Sequence, residues 1–109
     1  MTRAPYIQDR GIRRAERRKV MIHASIRGHG IVRFDADVRD ISVTGFRFET
    51  SFTLHVGTRL WLTIPGFSGF EASIAWREGF TYGCSFTTPL HQAVCEHVAK
   101  QHPAHDSLH

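Results

Sequence analysis

Only two of the 109 residues are cysteine, and Cys84 and Cys95 stand apart rather than in a CxxC pair. That pattern excludes a disulfide framework and leaves each thiol to pack as a small apolar side chain. No stretch approaches the run of about 20 apolar residues that a membrane-spanning helix needs, so no membrane span is expected. Charges begin at Arg3 with no apolar segment before them, which removes a secretory signal and makes the cytoplasm the expected location. The chain carries no Walker loop, no GxGxxG and no GxSxG elbow, so the common phosphate cradles and serine nucleophiles are absent. No internal repeat is present. With 41% hydrophobic residues in 109, the composition fits one small domain with a modest core.

Acidic residues are also scarce where the basic ones gather. Residues 1–20 hold Arg3, Arg10, Arg13, Arg14, Arg17, Arg18 and Lys19 against Asp9 and Glu16, a net +5. Residues 21–109 hold the other seven basic residues against eight acidic ones, a net −1, which together give the +4 of the whole chain. The positive excess therefore sits in an N-terminal arm, residues 1–19, and suits an anionic partner.

From Val20 the pattern becomes strictly alternating. Val20, Ile22, Ala24 and Ile26 share one parity, and Met21, His23, Ser25 and Arg27 share the other, as in a strand with one buried face. Gly28-His29-Gly30 reads as a hairpin turn into a second strand in which Val32, Phe34, Ala36 and Val38 point inward. Further strands are expected at Phe46–Glu49, at Thr58–Ile64 with Leu60, Leu62 and Ile64 inward, at 70–78 with Ala72, Ile74 and Trp76 inward, and at 80–87. Six short strands separated by Gly or Pro predict an all-β antiparallel barrel or sandwich. The period then turns helical. Thr88 is the expected N-cap and Pro89 the first helical residue, with Leu90, Ala93, Val94, His97 and Val98 on the packed face. The barrel and helix are expected over residues 20–101, with a disordered tail over 102–109.

Two segments carry chemistry. Arg13-Arg14-Ala15-Glu16-Arg17-Arg18 contains Arg-x-x-x-Arg just ahead of the first strand. About twenty residues later comes Asp40-Ile41-Ser42-Val43-Thr44-Gly45, an Asp-x-Ser-x-x-Gly turn. In such a turn Asp and Ser bond to nearby backbone amides and Gly supplies a positive φ angle. Each segment alone is ordinary: a solvated basic run and a common loop. Their order and spacing together resemble the two-part signature of the PilZ domain family. The resemblance covers roughly residues 13–100, including the strand count, Gly83-x-x-Phe86 and the C-terminal helix.

The resemblance implies a six-stranded antiparallel β-barrel with one C-terminal helix that binds the bacterial second messenger cyclic di-GMP, without catalysis. Carried over by position, Arg14 and Arg18 match the arm's two arginines, although Arg13 and Arg17 satisfy the same spacing. Arg14/Arg18 is preferred because Arg18 then lies closest to the strand. Asp40, Ser42 and Gly45 match the turn. The family associates the residue before the arginine motif with ligand stoichiometry. Arg13 in that place points to an intercalated pair of ligand molecules, against a single one. The residue types suit the ligand. A planar guanidinium meets phosphate bidentately, meets the O6/N7 edge of guanine, and stacks on a purine. The Asp40 carboxylate can accept from guanine N1–H and its amino group. The expected output is an unidentified downstream protein, with the arm becoming ordered on binding.

Other readings are weaker. His91, Cys95 and His97 lie close in sequence, and His102, His105 and His109 fall in the tail, but no three or four ligands converge, so no metal or cofactor is expected. Asp35 and Asp37 fit a solvated strand face. Trp61 has the parity of an exposed residue. A single-stranded nucleic-acid-binding barrel could use Phe46, Phe48, Phe67 and Phe70 for stacking, yet the body is −1 and continues no basic groove. A ligand-free protein-interaction module is the remaining alternative, and both motifs argue against it.

Overall fold

The computed structural model describes residues 16–28, 30 and 33–104. Alternation in the sequence becomes strands β1 (Arg18–Gly28), β2 (Phe34–Ile41), β3 (Gly45–Glu49), β4 (Arg59–Thr63), β5 (Gly69–Glu78) and β6 (Thr81–Phe86). All pair antiparallel in the order β1-β2-β3-β6-β5-β4, and β1 pairs with β4 to close a barrel. Closure removes both sheet edges that an open sheet of this size would expose. Apart from Trp76, and from Val32, which lies outside the described residues, the inward sets are those the period predicts. Val20, Ile22, Ala24, Ile26, Phe34, Ala36, Val38, Leu60, Leu62, Ile64, Ala72 and Ile74 are buried. Phe46, Phe48 and Tyr82 are the largest fully buried side chains, and the Phe48 and Tyr82 rings stack at 5.2 Å.

Trp76 departs from its expected parity. The register of β5 against β6 shifts between Ile74 and Trp76, so Ile74 faces the core while Trp76, two residues on, faces solvent at 43% exposure. A bulge residue, here Ala75, reverses which face the following side chains occupy. Trp61 keeps its expected parity and is exposed.

The helix starts later than the capping signals suggest. Helix α1 (Gln92–Gln101) is capped by His91, whose Nδ1 accepts from the Ala93 amide at 3.3 Å, and Thr88, Pro89 and Leu90 precede it. Leu90 is drawn out of the helix because its amide donates to the Val43 carbonyl at 2.8 Å. The packed face is Val94, Cys95, Val98 and Ala99, whereas Ala93 and His97 are exposed. The chain is held past the expected start of the tail. The Met21 amide donates to the His102 carbonyl at 3.0 Å, and Pro103 bridges Val20, so residues 102–104 run beside β1. The rest of the expected tail lies outside the described residues.

Tyr82 closes the opposite end of the barrel. Its hydroxyl donates to the Phe52 carbonyl and accepts from the buried Leu54 amide, both at 2.9 Å. Tyr82→Phe keeps the stacked ring but strands that amide. Removing a partner from a buried donor costs about 1–3 kcal/mol. Urea denaturation should show a lowered midpoint with an unchanged slope, since the exposed area on unfolding stays the same.

Candidate functional site

The site grows from one register shift. Strand β2 alternates inward through Phe34, Ala36 and Val38, and strict alternation would send Asp40 into the core. The pairing with β3 shifts between Val38 and Asp40, so Arg39 is the extra residue and Ile41 takes the inward position. Asp40 is thereby turned to the outer surface, opposite Arg47 of β3 and Lys19 of β1. It is still buried, its side chain 9% exposed, because two arginines cover it. Arg17 Nη1 donates to Oδ1 and Arg47 Nε donates to Oδ2, each at 2.8 Å. A buried carboxylate needs such partners, and charge-assisted bonds of this length are among the stronger ones.

Arg17 and Asp40 are 23 positions apart in sequence, so the basic arm and the Asp-x-Ser-x-x-Gly turn meet here. Arg18 goes elsewhere. It begins β1 opposite Ile41, and its guanidinium donates to Glu96 on α1. That hydrogen bond, with a second from Gln92, holds the Glu96 carboxyl below the usual carboxylate range, and it raises Arg18 in turn. Neighbouring residues of an extended chain point to opposite sides, which is why Arg17 reaches the outer site and Arg18 reaches the helix. Arg13 and Arg14 lie outside the described residues.

Ser42 is spent on the turn itself. Its Oγ accepts from the Thr44 and Gly45 amides at 3.3 Å, lies 3.1 Å from Thr44 Oγ1, and is within 3.4 Å of the Gly45 carbonyl. At 4% exposure it braces the loop. Gly45 is required for a reason other than the expected positive φ, which among the described residues belongs to Gly30, Gly57, Gly66 and Gly79. A Cβ on Gly45 would stand 2.1 Å from the Cys84 carbonyl oxygen, so only glycine lets β3 approach β6 this closely. The turn is also tied from outside, with the Phe86 amide donating to the Thr44 carbonyl at 2.9 Å.

Arg17, Ser42, Gly45 and Arg47, with Trp76 of β5 and Gly83 and Ser85 of β6, line a pocket of about 190 Å³, and Asp40 lies beside it under Arg17 and Arg47. Arg47 and Trp76 are among the lining residues that the sequence reading missed. Neither belongs to a motif, and Trp76 carries the wrong parity until the bulge is seen. Cys84, at the base, has its thiol pushed up to about 12 by burial and is no nucleophile. Among the candidate stacking residues of a nucleic-acid barrel, Phe46 and Phe48 are core residues and present no surface, while Phe67 and Phe70 are half-buried. Among the described residues no helix is long and apolar enough to cross a membrane.

The PilZ domain family matches residues 12–101, a span that takes in the arginine cluster of the arm, the turn, the barrel and the helix. No curated protein matches the chain.

Two measurements check this geometry. Gly45→Ala forces the β3 and β6 backbones apart, and overpacking of this kind costs about 1–3 kcal/mol, read by chemical denaturation. Glu96 should titrate by NMR below the usual carboxylate range, and Arg18→Ala should return it there. A depressed carboxylate contributes stability above its unfolded pKa and loses it as pH falls through the folded value. The contribution of this pair should therefore fade only in acid.

Proposed function

Because the chain belongs to the PilZ domain family, we propose that it is a non-catalytic receptor for cyclic di-GMP, with its ligand held between the basic arm and the Asp-x-Ser-x-x-Gly turn. The observation that carries this reading is the ion pair between Arg17 of the arm and Asp40 of the turn, beside a pocket that Arg17, Ser42 and Gly45 line. Two motifs far apart in sequence would have no reason to meet if the first were only a solvated charge run.

The chemistry of the ligand fits the groups assembled. Cyclic di-GMP carries two phosphodiesters and two guanines. Arg17 is 62% exposed, so it can leave Asp40 for a phosphate or a guanine edge at little cost. The Asp40 carboxylate, once released on that side, accepts from guanine N1–H and the amino group. Adenine offers a different donor and acceptor pattern. The placement of Arg17 supports Arg13/Arg17 as the working arginine pair, in place of Arg14/Arg18, since Arg18 is engaged with Glu96. Ser42 and Gly45 serve by shaping the turn. Ligand would order the arm against the barrel and present an altered surface to a downstream protein in the cytoplasm.

Calorimetric titration with cyclic di-GMP, GMP and cyclic di-AMP at two salt concentrations tests the proposal. Saturable binding selective for cyclic di-GMP is expected, and its stoichiometry distinguishes a single molecule from an intercalated pair. Arg17→Ala should weaken binding at least about tenfold, the loss of a charge-assisted contact, and more than Arg18→Ala. Asp40→Ala should chiefly reduce the preference for guanine over adenine. A folded, nucleotide-free sample that gives no heat with cyclic di-GMP would overturn the receptor reading.

A further inference from the structure

Two neighbouring arginines at the root of the arm go to opposite sides of the chain, and of the two it is Arg17 that lines the pocket. Arg17 covers Asp40, while Arg18 pairs with Glu96 on α1, 78 positions away in sequence. The Glu96 carboxylate is held at both oxygens. Arg18 Nη1 donates to Oε1, and Gln92 Nε2, one helical turn earlier, donates to Oε2 at 3.0 Å. Gln92 thereby orients the carboxylate that Arg18 meets.

The start of β1 needs such a hold. Its pairing with β2 is irregular between Lys19 and Ile22, which interrupts the ladder at Val20 and Met21. These two residues turn instead to the chain after α1. The Met21 amide donates to the His102 carbonyl, and Val20 bridges Pro103. Helix α1 and the residues after it therefore grip the start of β1 twice, once through Glu96 and once through 102–103. Arg17, one residue further out, is joined to the barrel through Asp40 and is 62% exposed, against 34% for Arg18. When a ligand takes Arg17 from Asp40, the grip of α1 on Arg18 is the side-chain tether that stays. An arm held at its root has fewer directions open to it, so less conformational entropy is lost when it closes on a ligand.

Resting on the receptor reading, we propose that Arg18 is a positioning residue: clamped by Glu96, it fixes the direction in which Arg17 leaves the barrel and makes no contact with the ligand itself. The two adjacent arginines then divide the work, one meeting the ligand and the other anchoring the arm to α1.

Calorimetric titration with cyclic di-GMP across a double-mutant cycle separates a clamp from a ligand contact. An exposed ion pair is a weak constraint, so Arg18→Ala and Glu96→Ala should each weaken binding about three- to fivefold. The double variant should lose no more than either alone. Exchanging the charges, Arg18→Glu together with Glu96→Arg, should restore affinity to within about twofold of wild type, because the pair survives with its sign reversed. Were Arg18 a contact to phosphate, the exchange would put a repelling charge there and restore nothing. Circular dichroism verifies the fold of each variant, and Glu96→Ala, at a half-exposed position on α1, carries the test where Arg18→Ala fails to fold. Wild-type binding with Glu96→Ala affinity unchanged, or with no rescue by the charge exchange, overturns the clamp and leaves the receptor reading intact. No binding by the wild type overturns both.

Discussion

A carboxylate removed from water must be paired, and the pairing of Asp40 organises the site around it. Its two oxygens are taken by two different arginines, one from β3 and one from the chain just before β1. The two bonds are unequal. Arg47 is fixed within a strand and 36% exposed, whereas Arg17 precedes the sheet and is 62% exposed. An exposed pair contributes little net free energy, while stripping a buried carboxylate of every partner costs several kcal/mol, about 3–5 for a buried pair. The Arg47 bond is therefore structural, and the Arg17 bond is the exchangeable one. An anionic ligand competing for Arg17 leaves Asp40 with Arg47 still in place, so the site can open without the turn collapsing.

The outer face that carries Asp40 exists because the strands are irregular. Register shifts fall between Lys19 and Ile22, between Val38 and Asp40, and between Ile74 and Trp76. The second and third keep the core apolar while handing Asp40 and Trp76 to the outside. Were Arg39 paired in regular register, Asp40 would follow Val38 inward and Ile41 would be exposed. Were Ala75 paired in the same way, Trp76 would follow Ile74 into a barrel already filled by Tyr82, Phe46 and Phe48. A one-residue shift inverts every side chain beyond it, so a bulge is the smallest change that moves a functional group without rebuilding the core.

This also explains what the sequence could and could not convey. Period two is a property of residue order, so the six strands and most of the core were legible in runs such as Val20 to Ile26 and Leu60 to Ile64. The two motifs were legible because they are local strings. A bulge leaves no such mark. Ile41 and Ala75 look like any other apolar residues, and only pairing with a neighbouring strand reveals the shift. The side of the chain on which each arginine lies was illegible for a related reason. Proximity to the strand favoured Arg18, but the side to which each residue points is set by where pairing begins. Helix capping failed at Thr88 because the Leu90 amide is claimed by the Val43 carbonyl, a tertiary bond that overrides a local preference. Gly45 and Ser42 were correctly singled out as turn residues, yet their roles come from the nearby Cys84 carbonyl and the loop's own amides.

The location of the site follows from barrel size. A closed barrel of six strands has an interior that side chains fill, and here aromatic and aliphatic groups from every strand do so. A ligand as large as a dinucleotide has no room inside and must be held on the outer wall. There it cannot be desolvated by enclosure, so apolar burial alone binds it weakly. What remains effective at a wet surface is geometry, above all charge-assisted bonds of fixed direction. Arg47 and Asp40, paired across β3 and β2, and Arg17, from the chain just before β1, bring two guanidiniums and a carboxylate together on that wall.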